Sequence, residues 1–114
     1  MKPQAFIYFD TEFTSFEQPG ILSVGAVSSE EKEFYAEVDS IPVEACSDFV
    51  KVQVLPKFTG PALPKGELAS RFLSWLGSFR KDVVIMSDSH YDRDLINSLC
   101  GGYPLPISGT VAMY

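Results

Sequence analysis

Histidine and cysteine are scarce in this chain: one His and two Cys occur among 114 residues. Cys46 and Cys100 stand far apart and form no Cys-x-x-Cys pair. That argues against zinc held by these two alone and leaves both as small apolar core residues. Basic side chains are outnumbered, 9 Lys and Arg against 15 Asp and Glu, for a net charge of −6. A protein that simply coats nucleic acid would be basic, because phosphate neutralisation supplies most of the non-specific affinity. An acidic chain can still act on nucleic acid when divalent cations stand between its carboxylates and the phosphates. Long apolar runs are missing too, and none approaches the ~20 residues of a membrane span. Residues 1–4 lead directly into a strand-like run without a signal-peptide pattern. A cytoplasmic, reduced protein is expected.

What is present suits one domain over residues 1–114. The chain is 46% hydrophobic and 13% aromatic, which argues against disorder and supports one modest core. Residues 5–9 (Ala-Phe-Ile-Tyr-Phe) are an unbroken apolar run and predict a strand buried on both faces. Gln18-Pro19-Gly20 signals a turn. Residues 21–28 and 32–39 read as two further strands, joined by a polar turn at 28–31, so the first three strands form an antiparallel meander. Ser47-Asp48 suggests the cap of a short helix running to Leu55 and stopped by Pro56, although its valines weaken it. Leu68, Phe72, Trp75, Leu76 and Phe79 form one stripe at helical spacing, with Arg80-Lys81 placed to meet the negative end of that helix. Val83–Met86 is a short buried strand. A second helix follows, with Tyr91, Leu95 and Leu99 on one face and Gly101-Gly102 at its end. Residues 103–114 show little pattern. The order β-β-β-(α)-α-β-α predicts an α/β fold with a mixed sheet flanked by helices.

The chemistry concentrates in a few acids. Asp10 and Glu12 end the first strand, two residues apart, so they share a face at about 7 Å separation along the chain. The C-terminal edge of such strands is where α/β sheets bind ligands. Two close carboxylates repel, and a divalent cation removes the repulsion. Oxygen-only donors favour Mg²⁺ or Mn²⁺ over zinc. The plainer alternative is a solvated acidic turn. Asp92 lies early in the second helix; Ser89-His90-Tyr91-Asp92 reads either as a capping box or as a third carboxylate brought beside the first pair. Asp88 and Asp94 are its rivals, and Asp94 projects roughly 200° around the helix from Asp92. His90 reads as a cap or surface residue, Arg93 as solvent-facing, and Trp75 as part of the core stripe rather than a stacking platform.

Tyr8-Phe9-Asp10-Thr11-Glu12-Phe13 resembles the first motif of the DEDD 3′–5′ exonuclease superfamily, and Ser87-Asp88-Ser89-His90-Tyr91-Asp92 resembles its second. More narrowly, Asp10–Phe13, Ile21–Val27, Phe34-Tyr35-Ala36, Phe49-Val50-Lys51 and Val54-Leu55-Pro56-Lys57 together look like a small bacterial group of 3′–5′ exoribonuclease-like proteins known from mycobacteria. The resemblance implies an RNase H-like fold and phosphodiester hydrolysis by two metal ions, Mg²⁺ or Mn²⁺, about 4 Å apart. It implies that Asp10 bridges both ions, that Glu12 holds the one activating water, and that Asp92 supports the second. It further implies that Phe13, Thr14 and Phe16 contact the terminal nucleotide of single-stranded RNA, with DNA as the other candidate. The superfamily's third motif is a histidine or tyrosine followed by a fourth aspartate on a last helix. Here no acid follows Asp94 and no histidine follows His90. The expectation is therefore a domain truncated at its C-terminal side, with an open sheet surface that favours a homodimer. Against the active enzyme stands an inactive RNase H-like module that binds RNA or a protein partner.

Overall fold

The computed structural model describes residues 4–102 and the backbone of 111–113. The first strand, β1 (Gln4–Phe13), alternates exposed and buried side chains for most of its length. Ala5, Ile7, Phe9 and Thr11 point into the core, whereas Phe6 and Tyr8 remain 46% and 40% exposed. This corrects the expectation of a strand buried on both faces. An unbroken apolar run does not reveal how many faces are covered; helices on one side hide only every second residue.

The strands β2 (Ile21–Ser28) and β3 (Glu33–Val38) complete the antiparallel meander that the sequence predicts. Their connection is tied by Ser28, whose Oγ accepts from the N–H groups of Glu30 and Lys32. The two-residue β4 (Ala62–Leu63) lies parallel to β3, β5 (Asp82–Met86) parallel to β1, and β6 (Val111–Met113) parallel to β5. The sheet order is β4-β3-β2-β1-β5-β6, and β2 alone runs against the other strands. Nothing in the residue pattern of 103–114 pointed to β6. Residues 103–110, from the same patternless stretch, lie outside the described residues.

Helix α1 (Lys65–Gly77) buries Leu68, Ala69, Phe72 and Leu76, in line with the predicted stripe. Trp75 sits half-buried beside it, 6.3 Å from the Phe72 ring and edge-on to Phe79 at 5.1 Å. Lys81 does not face the end of α1 but pairs with Glu30 at 2.5 Å. Helix α2 (His90–Leu99) buries Asp92 and Ile96 instead of the Tyr91–Leu95–Leu99 face, whose members are half-buried. Helix α2 ends where Gly101 adopts φ 91°, a left-handed conformation, and the Gly102 N–H returns to the Asn97 carbonyl at 2.5 Å. The two helices lie on one face of the sheet. There Ile7, Phe9, Leu22, Val24, Phe72, Leu76, Ile85 and Ile96 are sealed from solvent together. Cys46 and Cys100 join this core as free thiols, as expected.

Residues 43–57 make an irregular helical segment: a 3₁₀ turn at Val43–Ala45, a π-helical stretch at Val50–Val54 and a 3₁₀ turn at Leu55–Lys57. Ser47 caps it, its Oγ accepting from the Val50 N–H at 3.2 Å. The Leu55 N–H reaches back five residues to the Val50 carbonyl. β-Branched Val50, Val52 and Val54 resist regular helix, and Pro56 cannot donate to it. Pro56 therefore tightens the segment into a last 3₁₀ turn rather than stopping it at Leu55. No helix among the described residues is long and apolar enough to cross a membrane.

If the core lies only on the helix side, Phe72→Ala should cost about 3–5 kcal/mol in denaturant unfolding. Phe6→Ala, on the open face, should change stability by less than about 1 kcal/mol; comparable losses at both positions would contradict the one-sided core.

Candidate functional site

The geometry of the site follows from unequal strand lengths. β1 pairs with β5 only as far as Tyr8 and Met86, and then continues to Phe13. Beyond that point its β5-side edge needs another hydrogen-bond partner, and α2 begins beside it. Ser89 caps α2, accepting from the Tyr91 N–H at 3.1 Å. Asp92 occupies the acid position of a capping box, yet it does not turn back to the cap. Its Oδ1 instead accepts from the Thr11 N–H at 3.1 Å and from the Thr11 hydroxyl at 2.6 Å. Asp92 and Thr11 are each 4% exposed. The carboxylate thus takes over where the β1–β5 pairing stops.

Asp10 and Glu12 flank Thr11 and point the other way, onto the open face. Cross-strand register sets each in a row: Asp10 with Gly25 and Tyr35, Glu12 with Ser23 and Glu37. Both carboxyls are held above their usual range. For Asp10 the causes are burial, then the charges of Asp92 and Asp88, partly opposed by the Thr11 N–H. For Glu12 they are burial, then Asp10 and Asp92, partly opposed by Lys57. The three acids singled out in the sequence therefore share one electrostatic neighbourhood. Asp88, their rival, adds to it, since it also hydrogen-bonds Tyr8 and raises that phenol's pKa. Asp94 is exposed on α2.

Among the residues expected to touch substrate, Phe13 and Phe16 gather against α2. The β1–β2 register shifts between Glu12 and Phe13, a bulge of the kind that re-aims side chains beside functional sites. Phe13 stacks on Tyr91 at 5.5 Å, and Phe16 meets both rings edge-on at 5.3 and 5.2 Å. His90 lies over Tyr91 at 4.4 Å and is exposed, as read from the sequence. Thr14 is different. It is 2% exposed, and its hydroxyl donates to the Gln18 carbonyl and accepts from the Gly20 N–H. Its side chain closes the loop between β1 and β2.

Sequence reasoning missed the cleft itself. A cavity of about 400 Å³ opens beside Asp10 and Glu12. Ser23, Gly25 and Tyr35 form its floor; Phe49, Gln53 and Lys57 of the 43–57 segment form its wall. A Cβ at Gly25 would come within 3.7 Å of the Tyr35 ring, an ordinary contact. Packing does not demand glycine there, but its lack of a side chain keeps the row between Asp10 and Tyr35 open. Glu37, 3% exposed, joins floor to wall: it accepts from the Tyr35 hydroxyl at 2.5 Å and from the Thr59 and Gly60 N–H groups at 3.1 and 2.8 Å. Burial, then this bond to Glu37, pushes the Tyr35 phenol well above its ordinary pKa. The alternation of β3 placed Tyr35 and Glu37 on one face, and that was the available signal for the pair.

Among the described residues, no group of three His, Cys, Asp or Glu side chains is placed so that it could hold a metal ion. The donor chemistry nonetheless fits a hard divalent cation. It consists of carboxylates only, two of them unfavourably charged by their neighbours, and both Asp92 hydrogen bonds use the same oxygen. No protein-family model and no curated protein matches the chain.

Two outcomes follow. Raised folded-state pKa values mean that the metal-free native protein loses stability as pH climbs from the ordinary carboxylate range through the raised values. In EDTA, Asp10→Asn should therefore increase the thermal midpoint at pH 7, with the gain shrinking as pH falls and the wild-type carboxyl protonates. Thr11→Val strips Asp92 of its hydroxyl donor and should cost about 1.5–3 kcal/mol in denaturant melts, the range for hydrogen bonds to charged groups.

Proposed function

We propose that the chain is a metal-dependent 3′–5′ exonuclease-type domain of RNase H-like fold acting on single-stranded RNA, with Asp10, Glu12 and Asp92 as its cation ligands. The observation that carries this reading is that Asp92, 81 residues from Thr11, hydrogen-bonds Thr11, the residue between Asp10 and Glu12, at the C-terminal end of a central strand. Such an edge is where α/β sheets place ligands. The mixed sheet, with its antiparallel meander followed by helix, parallel strand and helix, agrees with the architecture that the motif resemblance implies.

Each residue has a task in this reading. Asp10 and Glu12 present oxygens from the open face into the cleft. Asp92, fixed on Thr11, offers its remaining oxygen from the side. Mg²⁺ or Mn²⁺ would supply the positive charge that lets an acidic surface accept a phosphodiester, and would acidify a water. The Phe13–Phe16–Tyr91 cluster adds aromatic surface close to the carboxylates, with Phe16 70% exposed. The second reading, an inactive module that binds RNA or a protein or pairs with its own copy, is favoured by one feature. Phe6, Tyr8, Val27 and Tyr35 are exposed together on the open sheet face, an apolar surface of the type that marks association sites.

Mn²⁺ at about 100 times its dissociation constant should stabilise the wild type by about 2.7 kcal/mol, read as a rise in thermal midpoint that Asp10→Asn abolishes. The same Mn²⁺-loaded protein should shorten a 5′-end-labelled oligoribonucleotide one nucleotide at a time. Mn²⁺ stabilisation without hydrolysis would leave the binding module ahead; no stabilisation at all would remove the nuclease reading.

A further inference from the structure

We propose that the open face of the sheet, from Phe6 across to Tyr35, docks an amphipathic helix of a protein partner whose apolar stripe is bordered by lysine or arginine. Docking there rests on the exposed residues that favour the second reading above and requires no cation.

The surface is continuous and lies beside the cleft, not within it. Cross-strand register places Tyr8, Val27 and Glu33 in one row and Asp10, Gly25 and Tyr35 in the next, with Phe6 beyond Tyr8 on β1. Phe6, Tyr8, Val27 and Tyr35 are all exposed. A cavity of about 550 Å³ lies over these rows. It shares Asp10, Gly25 and Tyr35 with the cleft and extends from them in the opposite direction, toward Tyr8, Val27 and Glu33 rather than Glu12 and Ser23. Gly25 leaves the middle of the shared row without a side chain, so the apolar residues border a groove. On the β5 side the strip ends at Val84, which pairs with Phe6 and is buried.

Charge selects what fits there. Every acid in the described strands, namely Asp10, Glu12, Glu33, Glu37 and Asp82, occupies a position on the open face. No strand among the described residues contains a lysine or arginine. The lysines next to β3 and β5 are engaged elsewhere: Lys32 stands over the Phe79 ring, and Lys81 pairs with Glu30. An apolar strip in a field of one sign disfavours a phosphate backbone. It also disfavours a second copy, because like faces brought together would set acid against acid. A cationic border on the partner removes that repulsion and steers its approach. The sheet decides the backbone form. Strand N–H and C=O groups point sideways to neighbouring strands, so the face recognises side chains alone. A helix satisfies its own backbone and presents an apolar stripe, which suits it to covering a sheet.

The test is fluorescence anisotropy with three labelled peptides of about 18 residues, enough for about five helical turns. The first carries leucine at i, i+3, i+4 and i+7 with lysine on both borders. The second has glutamate for each lysine, and the third has alanine for each leucine. All are titrated in EDTA against wild type, Phe6→Ala and Glu33→Lys; both positions are exposed, and thermal melts verify folding. Wild type should bind the leucine–lysine peptide about tenfold more tightly than either of the others. Phe6→Ala should weaken that peptide about tenfold. Glu33→Lys should weaken it about fivefold and strengthen binding of the glutamate peptide. Equal binding of the lysine and glutamate peptides, no binding, or binding that neither substitution alters overturns the proposal. So does a labelled single-stranded oligoribonucleotide whose binding in EDTA is lost in Phe6→Ala, which gives the face to RNA. A wild-type dimer that Phe6→Ala dissociates in sedimentation overturns it in favour of a second copy. Mn²⁺ stabilisation and RNA shortening are measured without peptide, so the docking surface and the nuclease reading fail separately.

Discussion

One carboxylate oxygen joins the two halves of the site. Asp92 Oδ1 accepts both the main-chain N–H and the hydroxyl of Thr11, and through them sets the start of α2 against the end of β1. A buried carboxylate needs compensating donors, and the strand provides them at the place where β5 has ended. The side chains on either side of Thr11 are then bound to face the opposite way, into the cleft. The position of Asp10 and Glu12 relative to Asp92 is thus a product of strand alternation and one pair of hydrogen bonds.

The same arrangement explains why charge accumulates there. The local structure satisfies Asp92 but leaves Asp10 and Glu12 with little to offset burial and their acidic neighbours, Glu12 having only the charge of Lys57. Proteins tolerate such an imbalance where a ligand relieves it. The opposing wall contributes aromatic surface and one cation, so the cleft is polarised across its width. Glu37 holds that polarity in register without taking part in it.

Much of the architecture could be read from the residues. The apolar periodicity of 65–77 and the strand–turn–strand spacing of 21–38 led to elements found close to where they were expected. The pairing of Asp10 with Glu12 on one face followed from alternation alone. Three things were not legible. Phe6 and Tyr8 look as buried as Ile7 and Phe9 in an apolar run, and only the one-sided placement of the helices separates them. The inward turn of Asp92 depends on a partner 81 residues away, whereas its local context points equally well to a capping box. The cleft wall is an irregular helix in which Ser47 is visible as a cap, but the exposure of Phe49 depends on how Pro56 and the valines distort the turn. Thr14 gave no sign in the sequence of its structural part: its hydroxyl is buried and bonded within the loop.

The Asp92–Thr11 bond also bears on the order in which the protein matures. Contacts so far apart along the chain are slow to form, since a long loop must close before they reward it. The meander can assemble from neighbouring residues while α2 is still being docked. Until that docking is finished, Asp10 and Glu12 have no third acid beside them. On the proposed reading, affinity for a cation would therefore belong to the finished molecule, and a chain opened locally at α2 would surrender it before the rest of the sheet comes apart.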